Sequence, residues 1–310
     1  MKKFLRKNLI LFAILTAALF LFSCGDKPNV EEPAASQEEN KEEAPKDSTE
    51  EDPKPAYTIT AQEGYENTIT VDEAAGTITL APAVEGIEYT ITGEFEGQII
   101  NKTKGTVITL NNANLKNTEG KAAIYGEAKI ELKFKKDSTN TITVTGTDNT
   151  VYEEGKPDFS KAAVLCEKAI EIGGSGSCTI SCENGHGVKG SKVELKGSGS
   201  YVFGPAKDSA INCNDFEVKA DRTFTATLKN AKNGIKADNT ISIASGTFKF
   251  DTIKKTALKT DTSADDSEGE TKEHKITLEG GTFTFTNCGS KYSTEEGAFT
   301  KSETVIGDFN

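Results

Sequence analysis

A small residue followed by an aliphatic one recurs at Ala163-Val164, Gly187-Val188, Ala210-Ile211, Gly234-Ile235 and Ala257-Leu258. The intervals between the aliphatic members are 24, 23, 24 and 23 residues. A fixed period in that range marks a solenoid, in which one small unit stacks on the next. Two further ladders keep the beat. One is Ile170/Ile172, Val193/Leu195, Phe216/Val218, Ile241/Ile243 and Ile276/Leu278; the other is Cys178/Ile180, Tyr201/Phe203, Phe224/Ala226, Phe248/Phe250 and Phe283/Phe285. Each repeat therefore carries three short strands alternating apolar and polar, with Gly, Asn, Asp and Ser in the gaps.

Each strand meets its own copy one period later, so the expected pairing is parallel, coil on coil, at about 4.8 Å per coil. The periodicity predicts an all-β chain folded as a single-stranded parallel β-helix with coils of about 23–24 residues. Small residues at Gly126, Cys166, Gly190, Cys213, Ala237 and Thr260 fit an inward position at a tight corner. Residues 57–85, with Ile59, Ile69, Val71, Ile78 and Leu80, are expected to cap one end, and residues 289–310 to cover or extend the other. The interval from Ile124 to Val164 is 40 residues, so 146–160 should project as a loop with Tyr152 exposed at its tip.

The termini speak of export. Residues 1–24 have a basic start at Lys2, Lys3, Arg6 and Lys7, then an apolar run from Leu9 to Phe22 that is short for a membrane span. Leu21-Phe22-Ser23-Cys24 resembles a bacterial lipobox, which makes Cys24 the expected lipidation site and places the protein on the cell surface, in the outer membrane where two membranes exist. Residues 25–56 hold five of the eight prolines, eleven acids and four lysines. They read as a disordered acidic tether, because they lack the apolar surface to order themselves. Taking +4 for the signal and −7 for the tether from the total of −12 leaves −9 for residues 57–310. Nucleic acid is therefore not an expected partner.

The segment from Gly86 to Gly190 carries a resemblance. Its blocks are Ile87 to Gly93, Gly97-Gln98-Ile99-Ile100, Val107 to Leu115, Ala122-Ala123-Ile124-Tyr125, Asp137 to Ile142, Lys161-Ala162-Ala163-Val164 and Ile170 to Ile180. In order and spacing they resemble the bacterial carbohydrate-binding domain family of surface proteins, over about residues 57–289. The resemblance implies a right-handed parallel β-helix that binds plant-type polysaccharide, neutral glucan or acidic pectic chains, with calcium. It also implies Asp or Asn just before a Gly-Ile anchor. The matching positions here are His186, Ser209, Asn233 and Thr256, with Asp208 adjacent, and the family's Asp-Gly-Ile appears as Asn233-Gly234-Ile235.

Calcium takes six to eight oxygen ligands. The corner residues that offer them are Asp208, Asn212, Asn214, Asp215, Asn233, Asp238 and Asn239, although Asn and Asp also serve turns through αL backbone and local hydrogen bonds. A second acidic run, Asp261, Asp265, Asp266, Glu268 and Glu270, reads as a calcium candidate or a solvated loop. Cys166, Cys178, Cys182, Cys213 and Cys288 form no CxxC pair and read as buried thiols.

Sugar binding favours aromatic faces and planar polar side chains. The chain has no Trp, so Tyr125 and Tyr152 are the aromatic candidates, with Tyr201 assigned to the core. Lys189, Asn212, Lys236 and Lys259 each follow an anchor and form an outward ladder that either meets a repeating polymer or solvates a sheet face. Catalysis is the rival reading. A calcium-dependent pectate-type lyase needs a basic residue beside the metal, and Arg222 is the one arginine after the signal. No hydrolase motif surrounds any carboxylate pair, and no nucleophile motif flanks His186 or His274. A third reading is an adhesive spacer that contacts host or matrix proteins.

Overall fold

The computed structural model describes residues 56–150, 152, 159–263 and 272–310. The expected signal segment, Cys24 and the tether up to residue 55 lie outside the described residues, as do Asp265, Asp266, Glu268 and Glu270. The described chain is all-β, with a single turn of 3-10 helix at Glu66–Thr68 among its strands.

The anchors pair as the period requires. Ile99, Ile124, Val164, Val188, Ile211, Ile235, Leu258 and Tyr292 form one parallel column, each residue beside its successor. Ile130, Ile170, Val193, Phe216, Ile241, Ile276 and Phe299 form a second. Nearly all of these side chains are buried, and they join the third strand of each coil in one continuous apolar core. A coil thus buries its inner face against its neighbours, and the hydrophobic gain accrues only when coils stack.

The third ladder slips by two residues at one coil. Tyr201 pairs with Ala226 and Phe203 with Leu228, so Ala226/Leu228, not Phe224/Ala226, occupy the column. The turn at Asp221, whose φ of 64° is left-handed, lets Phe224 precede the strand instead. Phe224 remains fully buried, 5.7 Å from the Tyr201 ring and 5.6 Å from that of Phe248, and fills the space that the small Ala226 leaves. Spacing alone does not separate these registers, since both positions face inward.

The small-residue corner column is formed: Gly126 pairs with Cys166, Gly190 with Cys213, Cys213 with Ala237 and Ala237 with Thr260. A Cβ on Gly126 would lie 2.8 Å from the Ala128 carbonyl oxygen, so at that coil the corner has no room for a side chain. The described cysteines are all free. Burial pushes the thiol pKa of Cys166 up to about 11, which keeps it inert.

The ends depart from the coil pattern. Tyr57–Ala61 runs antiparallel to Glu88–Glu96, and Ile69–Asp72 forms an antiparallel hairpin with Thr77–Leu80. Val71 in that hairpin pairs with Ile78 but is 43% exposed, so it packs less fully than Ile78 and Leu80. At the other end Ser290–Ser293 and Phe299–Lys301 add parallel strands. Phe309 then folds back on Phe283, Phe285 and Phe299 with ring centroids 5.1 to 5.6 Å apart.

Candidate functional site

Three positions per coil converge at the anchor corner. Counting from the aliphatic anchor, the residue three places earlier is Asp208, Lys232 or Lys255 around most of the groove; for the coil of Leu258 this is the residue just before Thr256. The residue two places earlier is His186, Ser209, Asn233 or Thr256, and the residue just after the anchor is Lys189, Asn212, Lys236 or Lys259. Strand pairing stacks them in columns: Ser209 beside Asn233 beside Thr256, and Lys189 beside Asn212 beside Lys236 beside Lys259. Between the outer columns runs an open groove of about 490 Å³.

The floor is neutral and largely buried, formed by Ser209, Asn233 and Thr256. Asn233 Nδ2 donates to Ser209 Oγ at 3.4 Å, which ties adjacent coils. His186 closes one end. The Ser209 backbone N–H donates to His186 Nδ1 at 3.1 Å, which fixes the ring with its proton on Nε2. Burial, then the Lys189 ammonium, depresses its pKa to about 4 against the pull of Asp208, so the ring is neutral at physiological pH.

Lysines form both rims: Lys232 and Lys255 on one side, Lys236 and Lys259 on the other. Lys236 lies 3.1 Å from Asp238 and 3.2 Å from Asp261; Lys232 lies 3.7 Å from Asp208. Lys255 has no acid partner among the described residues. Asn212 is 9% exposed, and its side-chain amide, with no hydrogen bond to another described residue, stays open to the groove. Its atoms face the groove and offer one acceptor and two donors there. A basic groove in an acidic chain is a local field that draws anions to it.

The expected site residues divide accordingly. Asp208, Asn212, Asn233, Lys236 and Lys259 line the groove, and Lys189 continues the column beside His186. Asn214 is exposed, Asp215 accepts a 2.7 Å hydrogen bond from Thr240, and Asp238 is held by Lys236. This donor set does not fit calcium. Lysine ammoniums engage Asp208 and Asp238 of the corner and Asp261 of the second acidic run, and among the described residues no group of three or more His, Cys, Asp or Glu side chains is placed to hold a metal.

Neither candidate tyrosine is a free platform. Tyr125 is buried under Phe159, edge to face at 4.6 Å, and its hydroxyl donates to Glu167. Tyr152 is half-buried, not exposed at a loop tip: its ring meets Phe159 at 5.8 Å, and its hydroxyl donates to Asp148. The insertion folds its aromatic residues back onto the coil because apolar rings gain by leaving water. Tyr201 is in the core as expected, donating to the carbonyls of Gly174 and Lys196 at 2.9 Å each. Arg222 does not line the groove, and its Nε is buried without a partner.

Lys232, Lys255 and Ser293 are groove residues absent from the expected site. Their signal was the one that located Asp208, since each sits at a fixed offset from an anchor. A second concavity of about 450 Å³ lies beside Tyr57 and Phe95, but Asp72, Glu73, Glu94 and Glu96 make it acidic. The lysine groove combines buried neutral polar groups, cations and an Asn212 amide open to the groove.

Stacked strands with a polar groove along the stack define a class of β-rich binding scaffold. The family described as carbohydrate-binding domain-containing protein matches residues 65–306, and the chain belongs to that family. A solved structure titled as the polysaccharide lyase-like protein from C. thermocellum, a gadolinium derivative, has a similar fold: 18% identity, 76% of this chain and 93% of that one covered, TM-score 0.55. No curated protein sequence matches the chain.

Proposed function

We propose that this protein is a lipid-anchored cell-surface protein, built as a right-handed parallel β-helix, that binds acidic polysaccharide in the lysine groove without cleaving it. The carrying observation is the groove itself: lysine rims over a neutral hydroxyl and amide floor, with the Asn212 amide unpartnered, in a chain of net charge −12. Carboxylates of a uronate chain pair with the rims, and sugar hydroxyls meet Asn212, Asn233 and Thr256. The lipid on Cys24 and the acidic tether would hold the domain away from the membrane. No step of binding is routed through calcium.

The likeness to a lyase-like protein supports a second reading, a polysaccharide lyase with Arg222 as base. Arg222 lies outside the groove, so this reading needs another substrate path.

The test is retention of the full chain in detergent on immobilised polygalacturonate, cellulose and matrix protein, with calcium and with chelator. The expected result is salt-sensitive, chelator-resistant retention on polygalacturonate, lost in a Lys255→Gln, Lys259→Gln variant that melts like the parent. Retention on matrix protein alone would favour the adhesive reading, and release of unsaturated uronate would establish the lyase.

A further inference from the structure

The groove is not uniform along its length. Over the coil anchored by Leu258, Lys255 and Lys259 flank Thr256; over the coil of Ile235, Lys232 and Lys236 flank Asn233. Over the coil of Ile211 the flanking residues are Asp208 and Asn212, around Ser209. One rim therefore changes sign within one coil step, while the other falls to neutral at Asn212 before Lys189 continues its column.

Pairing within the protein leaves the freest positive charge at the Leu258 end. Lys255 has no acid partner among the described residues, and Lys259 is 4.0 Å from Asp261. Lys232 and Lys236 share their charge with Asp208, Asp238 and Asp261. The Asp208 side chain, though 3.7 Å from Lys232, is 40% exposed and lines the groove, so its carboxylate still meets a ligand there. Beside it the unpartnered Asn212 amide suits a hydroxyl or an uncharged carbonyl, since it both donates and accepts.

We propose that the groove reads the charge pattern of its ligand, with Asp208 as the specificity-determining residue. Two consecutive anionic sugars sit over the coils of Leu258 and Ile235, and a neutral unit sits over the coil of Ile211. The inference rests on the glycan-site reading given above. Coils repeat at about 4.8 Å, close to the advance of one sugar in an extended chain, so a ligand along the stack presents about one unit per coil. A third carboxylate would meet Asp208 and be repelled, whereas an esterified or neutral unit would hydrogen-bond Asn212. Discrimination by a placed like charge is an established route to specificity. The ligand class is a partly esterified uronan, or one that alternates acidic and neutral sugars, in preference to a fully ionised one.

The test titrates the full chain in detergent, by calorimetry, with ionised galacturonate dimer and trimer and with a trimer esterified at one terminal unit. The readout is the affinity ratio of ionised trimer to dimer, which removes any general gain from freeing Lys232. The wild-type ratio is expected near one, with the esterified trimer bound more tightly than the ionised one. In Asp208→Asn, nearly the same in shape, the ratio should rise about fivefold, the upper range for an exposed charge pair. A wild-type ratio that already rises with the third charge, unchanged by D208N, overturns the charge-pattern proposal and leaves the glycan site standing. No binding of any oligomer by either protein overturns the glycan-site reading and this inference with it.

Discussion

One outward column, the position just after each anchor, has two halves with different surroundings. From Ile100 through Tyr125 to Leu165 it is apolar, and Phe159 packs over it; from Lys189 through Asn212 and Lys236 to Lys259 it is polar, and the groove opens along it. At this column strand pairing is parallel and in register through both halves. The backbone therefore does not decide which half is open. One side chain per coil and the presence of an insertion decide it, so stacked strands can change their surface along the stack without changing their ladder.

The largest test removes what both halves share. Phe248 is fully buried, with Phe283 stacked at 5.3 Å and Phe224 edge-on at 5.6 Å. Phe248→Asp places an unpaired charge in that stack, and a loss of more than about 5 kcal/mol is expected, enough to unfold the central coils. Circular dichroism melting would read it; an unchanged melting temperature would refute the core beneath both halves.

A second test tries to turn the covered half into the open one. Leu165 pairs with Lys189 across one coil and is 8% exposed in the Phe159 cluster. Leu165→Lys extends the lysine ladder by one step, but under the insertion its ammonium would be desolvated. A cost of about 4 kcal/mol is expected, in the range for an uncompensated buried charge. Urea unfolding that shows a loss below about 1 kcal/mol would mean the insertion lifts away freely and the two halves differ only in composition.

Much of this was legible in the sequence because it rests on period. The anchors, the second ladder, the small corner and the outward lysines each repeat at a fixed offset, and each lies where the offset places it. What escaped does not repeat. The burial of Tyr125 depends on Phe159, which reaches it from an insertion outside the period. The shift of Phe224 depends on one left-handed turn at Asp221. The corner acids Asp208 and Asp238 read as calcium ligands in the sequence, but lysines sit beside them, Lys232 from the next coil and Lys236 from the same one. A linear pattern shows which side chains share a face, but not which of them neutralise one another.

The smallest effect concerns the open half alone. His186 sits among Lys189, Lys236 and Asp208, with Ser209 N–H on its Nδ1, and its pKa is lowered from 6.5 to about 4 by burial first and by Lys189 next. Because the folded value is the lower one, the unfolded chain takes up the proton first as pH falls. Stability is thus full above about pH 6.5 and is lost progressively toward pH 4, by up to about 3 kcal/mol from linkage. Carboxylates held down by lysines respond lower. Burial alone would raise the Glu171 carboxyl, but hydrogen bonds from Lys129 at 2.6 Å and Lys196 at 2.7 Å outweigh it and keep it below its ordinary 4.5. Its contribution is present above that ordinary value and fades as pH falls through the lower folded one, which leaves the interval between pH 6.5 and 4.5 to histidine. Urea unfolding of the parent and of His186→Asn across that interval separates the cases. The variant is expected to lose most of the slope. Parallel curves would mean that His186 is already protonated in the fold, and the groove floor would then carry a charge that the neutral-floor reading denies.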